Sequence, residues 1–550
     1  MATVSAPEAA EEAAEIPAAT TGSDRRQIAK AAAIIMVGTI LSRVLGLGRE
    51  QITAILFGTG NEVAAFTIAD NIHTMLFDLV ISGMMQAALV PVLSAYAAPE
   101  QRAELRRIVG ALLMLALIVV GGAVLLMELF APGVVTVMTA LGGGAEARTE
   151  ATVELTVQLV RLILPTVLML AFSTILMSTL YALQRFTRPA LALAVRNAAI
   201  VAAALTLGQT VGIQSLVIGI LIGALLLALL QLSGLRDVMP TLNFDFRHPA
   251  IRRILALYLP ISVGLIGNTF ALVIDRNLAW GVGTDALGAM RYATALNQMI
   301  LGIVAAAISL AALPTLSRHF AANDEAAFQR TLSNGLKMVT VLVVPATFGL
   351  AAIAWPAVSL LFFHGETHSQ GAHAIWIALL AYLPGTFFAA FDQVLIFAYY
   401  ARQNTRTPVI VGVLAVGVYL FVALSLVHPL GMAGLVLANS AQFTFHAIVM
   451  WFLLRRALGQ VGDRTVISTL RAALTVGAVM AAAAYALVVG LQSVLHPEQN
   501  TPGLAERLAL VVLPMGLGAV IYTGGLHLLG IEEIRDIQRG ITRRLGRLAG

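Results

Sequence analysis

Long apolar stretches separated by short polar segments follow one another along almost the whole chain. The apolar residues are continuous within each stretch, whereas the strands of a membrane barrel alternate apolar and polar residues. Stretches of about 18 or more such residues are long enough to cross the hydrocarbon core as helices. The pattern predicts fourteen membrane helices, near residues 29–56, 62–92, 108–132, 153–182, 189–208, 213–234, 254–280, 286–315, 335–363, 372–400, 408–427, 431–454, 465–492 and 504–530.

Short landmarks recur along this pattern at nearly constant offsets. Two pairs share an offset of 223: Phe57–Gly60 (FGTG) with Trp280–Gly283 (WGVG), and Pro91–Ser94 (PVLS) with Pro314–Ser317 (PTLS). A third pair, Tyr181–Gln184 with Tyr400–Gln403, has an offset of 219. Units of about six helices, an even number, keep the same orientation in both copies. This is the parallel-repeat plan of transporters, with the substrate path between the halves.

The predicted fold is therefore an all-α polytopic membrane protein, with two six-helix lobes related as parallel repeats and two additional C-terminal helices. The predicted divisions are a disordered cytoplasmic tail (1–27), an N-terminal lobe (28–234), a C-terminal lobe (254–457), two further transmembrane helices (465–530) and a cytoplasmic amphipathic tail (531–550).

Composition and charge agree with a membrane protein and fix its expected orientation. Hydrophobic residues make up 59% of the chain and charged residues 11%, against about 25% charged in soluble domains. Of 34 Lys and Arg residues, 26 lie at segments on the side of the N-terminus, 2 on the other side and 6 within spans. The positive-inside rule then places both termini in the cytoplasm. The net charge of +5 reflects this topology and lipid headgroups rather than a nucleic-acid partner.

The sequence contains no catalytic constellation. The absence of cysteine excludes disulfides, thiolate metal sites and cysteine nucleophiles. No phosphate-binding loop of the Walker type is present, which argues against ATP hydrolysis, and no cofactor is predicted. His364, His368 and His373 share one predicted outer loop, and a solvated loop is favoured over a metal site there.

Ionisable residues within the spans are the candidate functional residues. Each costs about 2.5–3.5 kcal/mol at the centre of a membrane helix, so such residues usually face a wet cavity or a partner. In the first span, Arg43 and Glu50 are seven residues apart and share a face, whereas Arg49 and Glu50 could also form a structural ion pair.

Further charges lie in the second, seventh and eighth spans. Asp70 and His73 can pair at i and i+3 in a span that also contains Asp78. Asp275 and Arg276 are adjacent and are expected on different faces. Arg291 lies near the end of span eight and can extend towards the membrane surface. A structural role is expected for the remaining four, which lie near span ends or lack a partner: Arg161, Arg196, Glu128 and Asp392.

These motifs together resemble a known family. Leu41–Gly46 (LSRVLG) followed by Arg49-Glu50 resembles the first-helix signature of the MurJ (MviN) lipid II flippases, within the multidrug/oligosaccharidyl-lipid/polysaccharide exporter superfamily. The motifs at Phe57–Gly60, Val90–Ser94, Val273–Arg276 and Leu313–Ser317 fit the same pattern, over about residues 28–530. The resemblance implies a bacterial inner-membrane protein that flips a polyprenyl-diphosphate-linked cell-wall precursor, through a cationic cavity between two lobes.

On this basis, Arg43, Arg49, Glu50, Asp70 and Arg276 are predicted to bind substrate and Asp275 to couple an ion. The chain departs from the family at three expected charged positions, now Phe77, Ser82 and Ala295, so a less cationic cavity is expected. The predicted partners are the lipid-linked precursor, membrane lipids and cell-wall synthesis enzymes. The alternatives are an exporter of another lipid-linked glycan or of small cationic molecules, and a non-transporting membrane scaffold.

Overall fold

Apolar stretches fold into helices in a membrane because only internal hydrogen bonds can satisfy the backbone there. The computed structural model describes residues 22–80, 88–140, 149–302, 315–459, 464–495, 503–531 and 533. These residues are helical with short connections, and no strand occurs among them. Ten helices of this described part have the length and apolar composition to cross a membrane. The predicted all-α membrane fold is confirmed.

The main helices are α1 (Gly22–Phe57), α2 (Asn61–Val80), α3 (Val90–Ser94), α4 (Arg102–Leu129), α5 (Ala131–Thr139), α6 (Glu150–Ile163), α7 (Pro165–Ala182), α8 (Thr187–Val211), α9 (Gln214–Leu232), α10 (Pro249–Val282), α11 (Thr284–Ile300), α12 (Glu325–Ala352), α13 (Ala354–Leu361), α14 (Ser369–Ala401), α15 (Arg406–Leu430), α16 (Met432–Leu458), α17 (Arg464–Leu495) and α18 (Leu504–Leu528).

Among the described residues, each predicted span corresponds to one helix or to two consecutive helices. The span predicted at 153–182 is divided at Leu164, before Pro165, and the span at 335–363 is divided at Ile353. The prediction of a disordered tail over 1–27 was wrong for its last residues, because α1 begins at Gly22. Residues 1–21 and the predicted amphipathic segment, apart from residues 531 and 533, lie outside the described residues.

The helix boundaries repeat at the two offsets found in the sequence. At an offset of 223, α4 and α12 are both 28 residues long, and α2 and α11 begin at equivalent positions. At an offset of 219, α8 and α15 are both 25 residues long. The pair α6–α7 likewise matches α14, over Glu150–Ala182 and Ser369–Ala401. The repeat inferred from a few sequence landmarks is therefore also seen in the positions and lengths of the helices.

Equivalent turns end the equivalent helices. Gln184 and Gln403, which correspond at the offset of 219, both have φ of 57°, in the left-handed region that non-glycine residues rarely adopt. In each turn the third residue beyond the helix donates its N–H to a carbonyl five residues back, from Arg185 to Leu180 (2.8 Å) and from Asn404 to Tyr399 (3.0 Å). This closes the helix with a Schellman-type cap in both halves.

The two C-terminal helices pack on one side of the second half. A small apolar cluster joins α12 to α17 and α18 through Val344, Ala473, Met480 and Tyr522. Contact between the halves is made mainly by α1 and α2 on one side and by α10 and α11 on the other. These four helices surround the polar cavity described next.

Candidate functional site

A polar cavity of about 340 Å³ lies between the two halves of the molecule. It is lined by α1 (Arg43, Gly46, Leu47, Arg49, Glu50), α2 (Thr67, Asp70, Asn71), α10 (Arg276) and α11 (Arg291, Thr294, Ala295, Gln298, Met299). Lining residues on α1, α2 and α11 recur mostly at spacings of three and four, as expected for one face of each helix. The cavity thus combines four arginines with two carboxylates.

One arginine of this cavity joins the halves. Arg291 donates to Glu50 through Nε (2.7 Å) and Nη2 (3.1 Å), and to Asp70 through Nη1 (2.9 Å). Arg49 adds an ion pair to Glu50 at 2.5 Å. We call these four residues the Arg291 clasp. Its two cations and two carboxylates balance, which removes the cost of isolated buried charge. The Arg291 guanidinium also lies 4.7 Å from the ring centre of Phe66.

The clasp corrects two predictions about the eighth span. Arg291 does not extend to the membrane surface, because its side chain is only 10% exposed and is held by two carboxylates of the other half. The substitution at Ala295 also does not remove arginine from this helix face, because Arg291 lies one turn earlier and lines the same cavity. A sequence signal was available: Arg291 and Ala295 are four residues apart and share a face.

Two other arginines keep more of their binding capacity. Arg43 donates from Nη1 to the Gln298 carbonyl at 2.7 Å and forms no ion pair with any described residue. The Nε atoms of Arg43 and Arg276 are buried and have no hydrogen-bond partner among the described residues. Arg276 lines the cavity and Asp275 does not, in agreement with the prediction that these neighbours occupy different faces, although their charged ends lie 3.4 Å apart.

Asp275 has a partner that the sequence did not indicate. The hydroxyl of Tyr419 on α15 donates a short hydrogen bond to Asp275 Oδ1. The predicted eleventh span, 408–427, contains no carboxylate or amide side chain, but a phenol in it supplies the contact. The surroundings of Asp275 thus include one arginine and one tyrosine hydroxyl.

Other intramembrane charges lie away from the central cavity. His73, 3.7 Å from Asp70, faces a second cavity of about 260 Å³ within the N-terminal half, which Asp78, Arg196 and Phe77 also line. Ser82 lies outside the described residues. Asp392, for which a structural role was expected, has a partner in the second half, because His446 Nδ1 lies 2.7 Å from its carboxylate.

One end of the cavity is closed by tight contact between the halves. Close to the C-terminal end of α1, Tyr292 donates to the Gly58 carbonyl (2.8 Å) and Thr59 donates to Asp285 (3.0 Å). A Cβ atom on Gly288 would lie 2.6 Å from the Thr59 carbonyl oxygen, and one on Gly371 would lie 2.6 Å from the Thr59 hydroxyl. Glycine therefore permits the backbone approach that closes this end.

Comparison with known proteins decides the family. The family described as lipid II flippase MurJ matches residues 53–498, which is most of the chain. The chain belongs to the MurJ family. The resemblance predicted from the motifs is thereby confirmed, and the family together with the apolar helices indicates a bacterial inner-membrane protein.

Individual relatives of the MurJ family cover most of the chain. The lipid II flippase MurJ of Burkholderia cenocepacia is 27% identical over 429 residues, which are 76% of this chain and 82% of that protein. The probable lipid II flippase MurJ of Vibrio cholerae serotype O1 is 28% identical over 529 residues, covering 93% of this chain and 98% of the relative.

Solved structures support the fold. A lipid II flippase MurJ in an inward closed conformation matches with a TM-score of 0.73 at 20% identity, covering 92% of this chain and 99% of that one. An inward-facing multidrug resistance MATE family transporter matches with a TM-score of 0.63 at 16% identity, covering 79% and 99%. At these identities the matches concern the fold alone.

Proposed function

We propose that this chain flips a polyprenyl-diphosphate-linked cell-wall precursor of the lipid II type across the inner membrane by alternating access. The observation that carries the proposal is the arginine-rich cavity between two repeated halves, in a chain of the MurJ family. A diphosphate with attached sugars cannot cross hydrocarbon unaided, and arginine binds phosphate oxygens with paired N–H donors.

Within this proposal the cavity arginines have different roles. Arg43 and Arg276 are the diphosphate ligands, because their Nε atoms remain without partners among the described residues. Arg49, Glu50, Asp70 and Arg291 close the cavity through the clasp and become available only when the halves separate. This division supports substrate binding by the predicted residues and adds Arg291 to them.

The cavity volume supports a closed state. Sites for drug-sized ligands measure about 300–1,000 Å³, so 340 Å³ is near the lower limit and a glycan-bearing diphosphate requires the halves to open further. With both termini cytoplasmic, as the positive charge distribution predicts, the closed α1 end faces outward. Transport then requires this end to open while the cytoplasmic side closes.

The finer features of this function are also proposals. Asp275 couples transport to a cation or to the membrane potential, since buried ionisable groups commonly carry this role in transporters. The chain acts without a catalytic step and associates with cell-wall synthesis enzymes. Export of small cations is disfavoured because the cavity arginines outnumber the carboxylates by four to two. A scaffold without transport gains nothing from buried charges that cost free energy.

Flipping by the purified full-length protein in proteoliposomes tests the proposal. We expect lipid II to move between leaflets faster than in protein-free liposomes, and faster than with the Arg43→Ala variant. In cells, depletion of the protein should cause lipid II to accumulate in the inner leaflet. Movement of another polyprenyl-linked glycan but not of lipid II would favour the first alternative, and movement of neither would contradict the proposal.

A further inference from the structure

The segment after α13 spans the interface between the halves. We call residues 362–368 the latch loop. Its Glu366 N–H donates to the Ile55 carbonyl (3.0 Å), and its Thr367 hydroxyl donates to the Ala54 carbonyl (2.7 Å). Both carbonyls belong to the last turn of α1, where helix carbonyls begin to lack internal donors. The Ala54 carbonyl also accepts the Gly58 N–H (3.0 Å), so the loop adds a second donor there. The second half of the molecule therefore caps a helix of the first.

The backbone of the latch loop is in direct contact with the backbone at the end of α1. Gly365 has φ of 59°, and a Cβ atom there would lie 2.1 Å from the Ile55 carbonyl oxygen. A Cβ atom on Gly58 would likewise lie 2.6 Å from the Glu366 carbonyl oxygen. No side chain fits at either point without movement of the backbone. Separation of the halves at this end must break these contacts and expose the α1 carbonyls.

The other end of the latch loop is held by a helix outside the duplication. Arg507 on α18 is 7% exposed, and its Nη1 lies 3.1 Å from the Ser359 carbonyl and 3.0 Å from the Phe363 carbonyl. The Ser359 carbonyl lies in the last turn of α13, where a cation is favoured and internal donors are lacking, and the Phe363 carbonyl lies in the latch loop just beyond it. Arg507 thus caps the helix from which the latch loop emerges.

A third contact joins Arg507 to a side chain of the latch loop. Arg507 Nη1 donates to His364 Nε2 at 2.6 Å. Burial and the Arg507 guanidinium lower the pKa of His364, which keeps the ring neutral and able to accept this hydrogen bond. A continuous series of hydrogen bonds therefore leads from α18, through the end of α13 and the latch loop, to the end of α1.

We propose that Arg507 is a positioning residue through which the accessory helices α17 and α18 hold the latch loop against α1 and keep this end of the cavity closed. The inference rests on the proposed alternating-access function. It assigns to the accessory pair a role in gating: displacement of α18 releases α13, and the latch loop then leaves α1.

The role of Arg507 can be tested by measuring how readily a reagent reaches the cavity from outside the cell. Thr67 is buried in the cavity wall, and the chain has no cysteine, so Thr67→Cys provides a single thiol. Its reaction with a membrane-impermeant maleimide is followed from outside intact cells and, separately, in inverted vesicles. In the otherwise unchanged protein we expect slow labelling from outside.

Arg507→Gln should increase the open-to-closed ratio, and hence labelling from outside, by about tenfold, equivalent to about 1.4 kcal/mol. Arg507→Lys should give a smaller increase, because one ammonium cannot reproduce the guanidinium geometry. Glu506→Gln is the matched control. It removes a neighbouring charge on the same turn of α18, and its described hydrogen bond is to Gly503 rather than to the latch loop. Gly365→Ala should increase outside labelling without any change at α18.

The outcomes separate the possibilities. Faster outside labelling with Arg507→Gln and Gly365→Ala, but not with Glu506→Gln, supports the inference. An effect of Gly365→Ala alone would show that the latch loop closes this end without α18 and would overturn the role of Arg507. Lower abundance of Arg507→Gln with unchanged labelling would reduce Arg507 to an anchor of α18. Equal labelling from both sides in every variant would instead contradict alternating access, and with it the proposed function.

Discussion

The two halves of the molecule share their helix boundaries but not their charges. Gly212 and Gly431, which correspond at an offset of 219, end α8 and α15 with φ of 60° and 55°. By contrast, Arg43 and Asp70 of the first half correspond to Ile266 and Ala293 of the second at an offset of 223. The duplicated scaffold therefore depends on turns and helix lengths, whereas the cavity chemistry is distributed asymmetrically.

The asymmetry extends into the interior of each half. Ser173 and Leu227 line the second cavity of the first half, and their equivalents at an offset of 219 are Asp392 and His446. In the second half these two are in buried contact, with His446 Nδ1 2.7 Å from the Asp392 carboxylate. The same positions thus line a cavity in one half and form a buried side-chain contact in the other, so the shared helix positions do not fix the pattern of polar residues.

The largest effect is expected at Arg43, which has no charged counterpart in the second half. Arg43→Ala should abolish lipid II flipping while leaving membrane abundance near normal, because Arg43 forms no ion pair with described residues that its loss would disrupt. Arg43→Lys should be partly active, since lysine retains charge but loses paired donation. Proteoliposome flipping and immunoblotting provide the two measurements, and full activity of Arg43→Ala would remove this residue from the site.

A second variant tests the position of the Arg43 guanidinium without removing its charge. A Cβ atom on Gly302 would lie 1.7 Å from Arg43 Cζ, so Gly302→Ala must move the side chain. We expect reduced flipping with the charge still present. Normal flipping by Gly302→Ala would indicate that the position of Arg43 is unimportant, even if its charge is required.

A large loss of stability is expected from opening the Arg291 clasp, the main ionic contact between the halves. Arg291→Gln leaves Glu50 and Asp70 without their shared partner, and breaking a buried pair in this way costs about 3–5 kcal/mol. The double variant Arg291→Gln, Asp70→Asn keeps the Arg49–Glu50 pair balanced and should recover much of this loss. Thermal unfolding in detergent measures both proteins. Equal unfolding midpoints for the single and double variants would show that Arg291 and Asp70 are not coupled.

Substitution of Asp275 tests whether the second half couples transport to an ion gradient or to the membrane potential. Asp275→Asn should uncouple transport from the membrane potential or ion gradient while substrate binding persists, because the binding charge is assigned mainly to the arginines. Tyr419→Phe is the comparison, since it removes the phenol that contacts Asp275 but keeps the carboxylate. Flipping in vesicles with and without an imposed potential provides the measurement. If Asp275 is only structural, abundance falls instead; normal abundance with unchanged potential dependence would contradict both interpretations.

The sequence predicted the helices and the repeat because hydrophobic length and turn residues are local properties. It also predicted the pairs Arg49–Glu50 and Asp70–His73, whose members are near each other in the chain. It did not predict Arg291 with Glu50, or Asp392 with His446, because these contacts depend on how distant helices pack. Side-chain directions were also uncertain: adjacent Asp275 and Arg276 point their charged ends together despite their positions on the helix.

The smallest effect concerns the shared scaffold itself. Gln184 and Gln403 adopt the same left-handed conformation at equivalent helix ends, with φ of 57° in both. An L-residue there costs about 1–2 kcal/mol, and glycine removes this strain but adds about 0.5–1 kcal/mol of backbone entropy cost. Gln184→Gly and Gln403→Gly should therefore each stabilise the protein by about 0.5–1 kcal/mol, and by equal amounts. Thermal unfolding midpoints measure this, with Gln→Ala at each position as the control that keeps the strain. Stabilisation in only one half would mean that the two turns, although alike in conformation, do not carry equivalent strain.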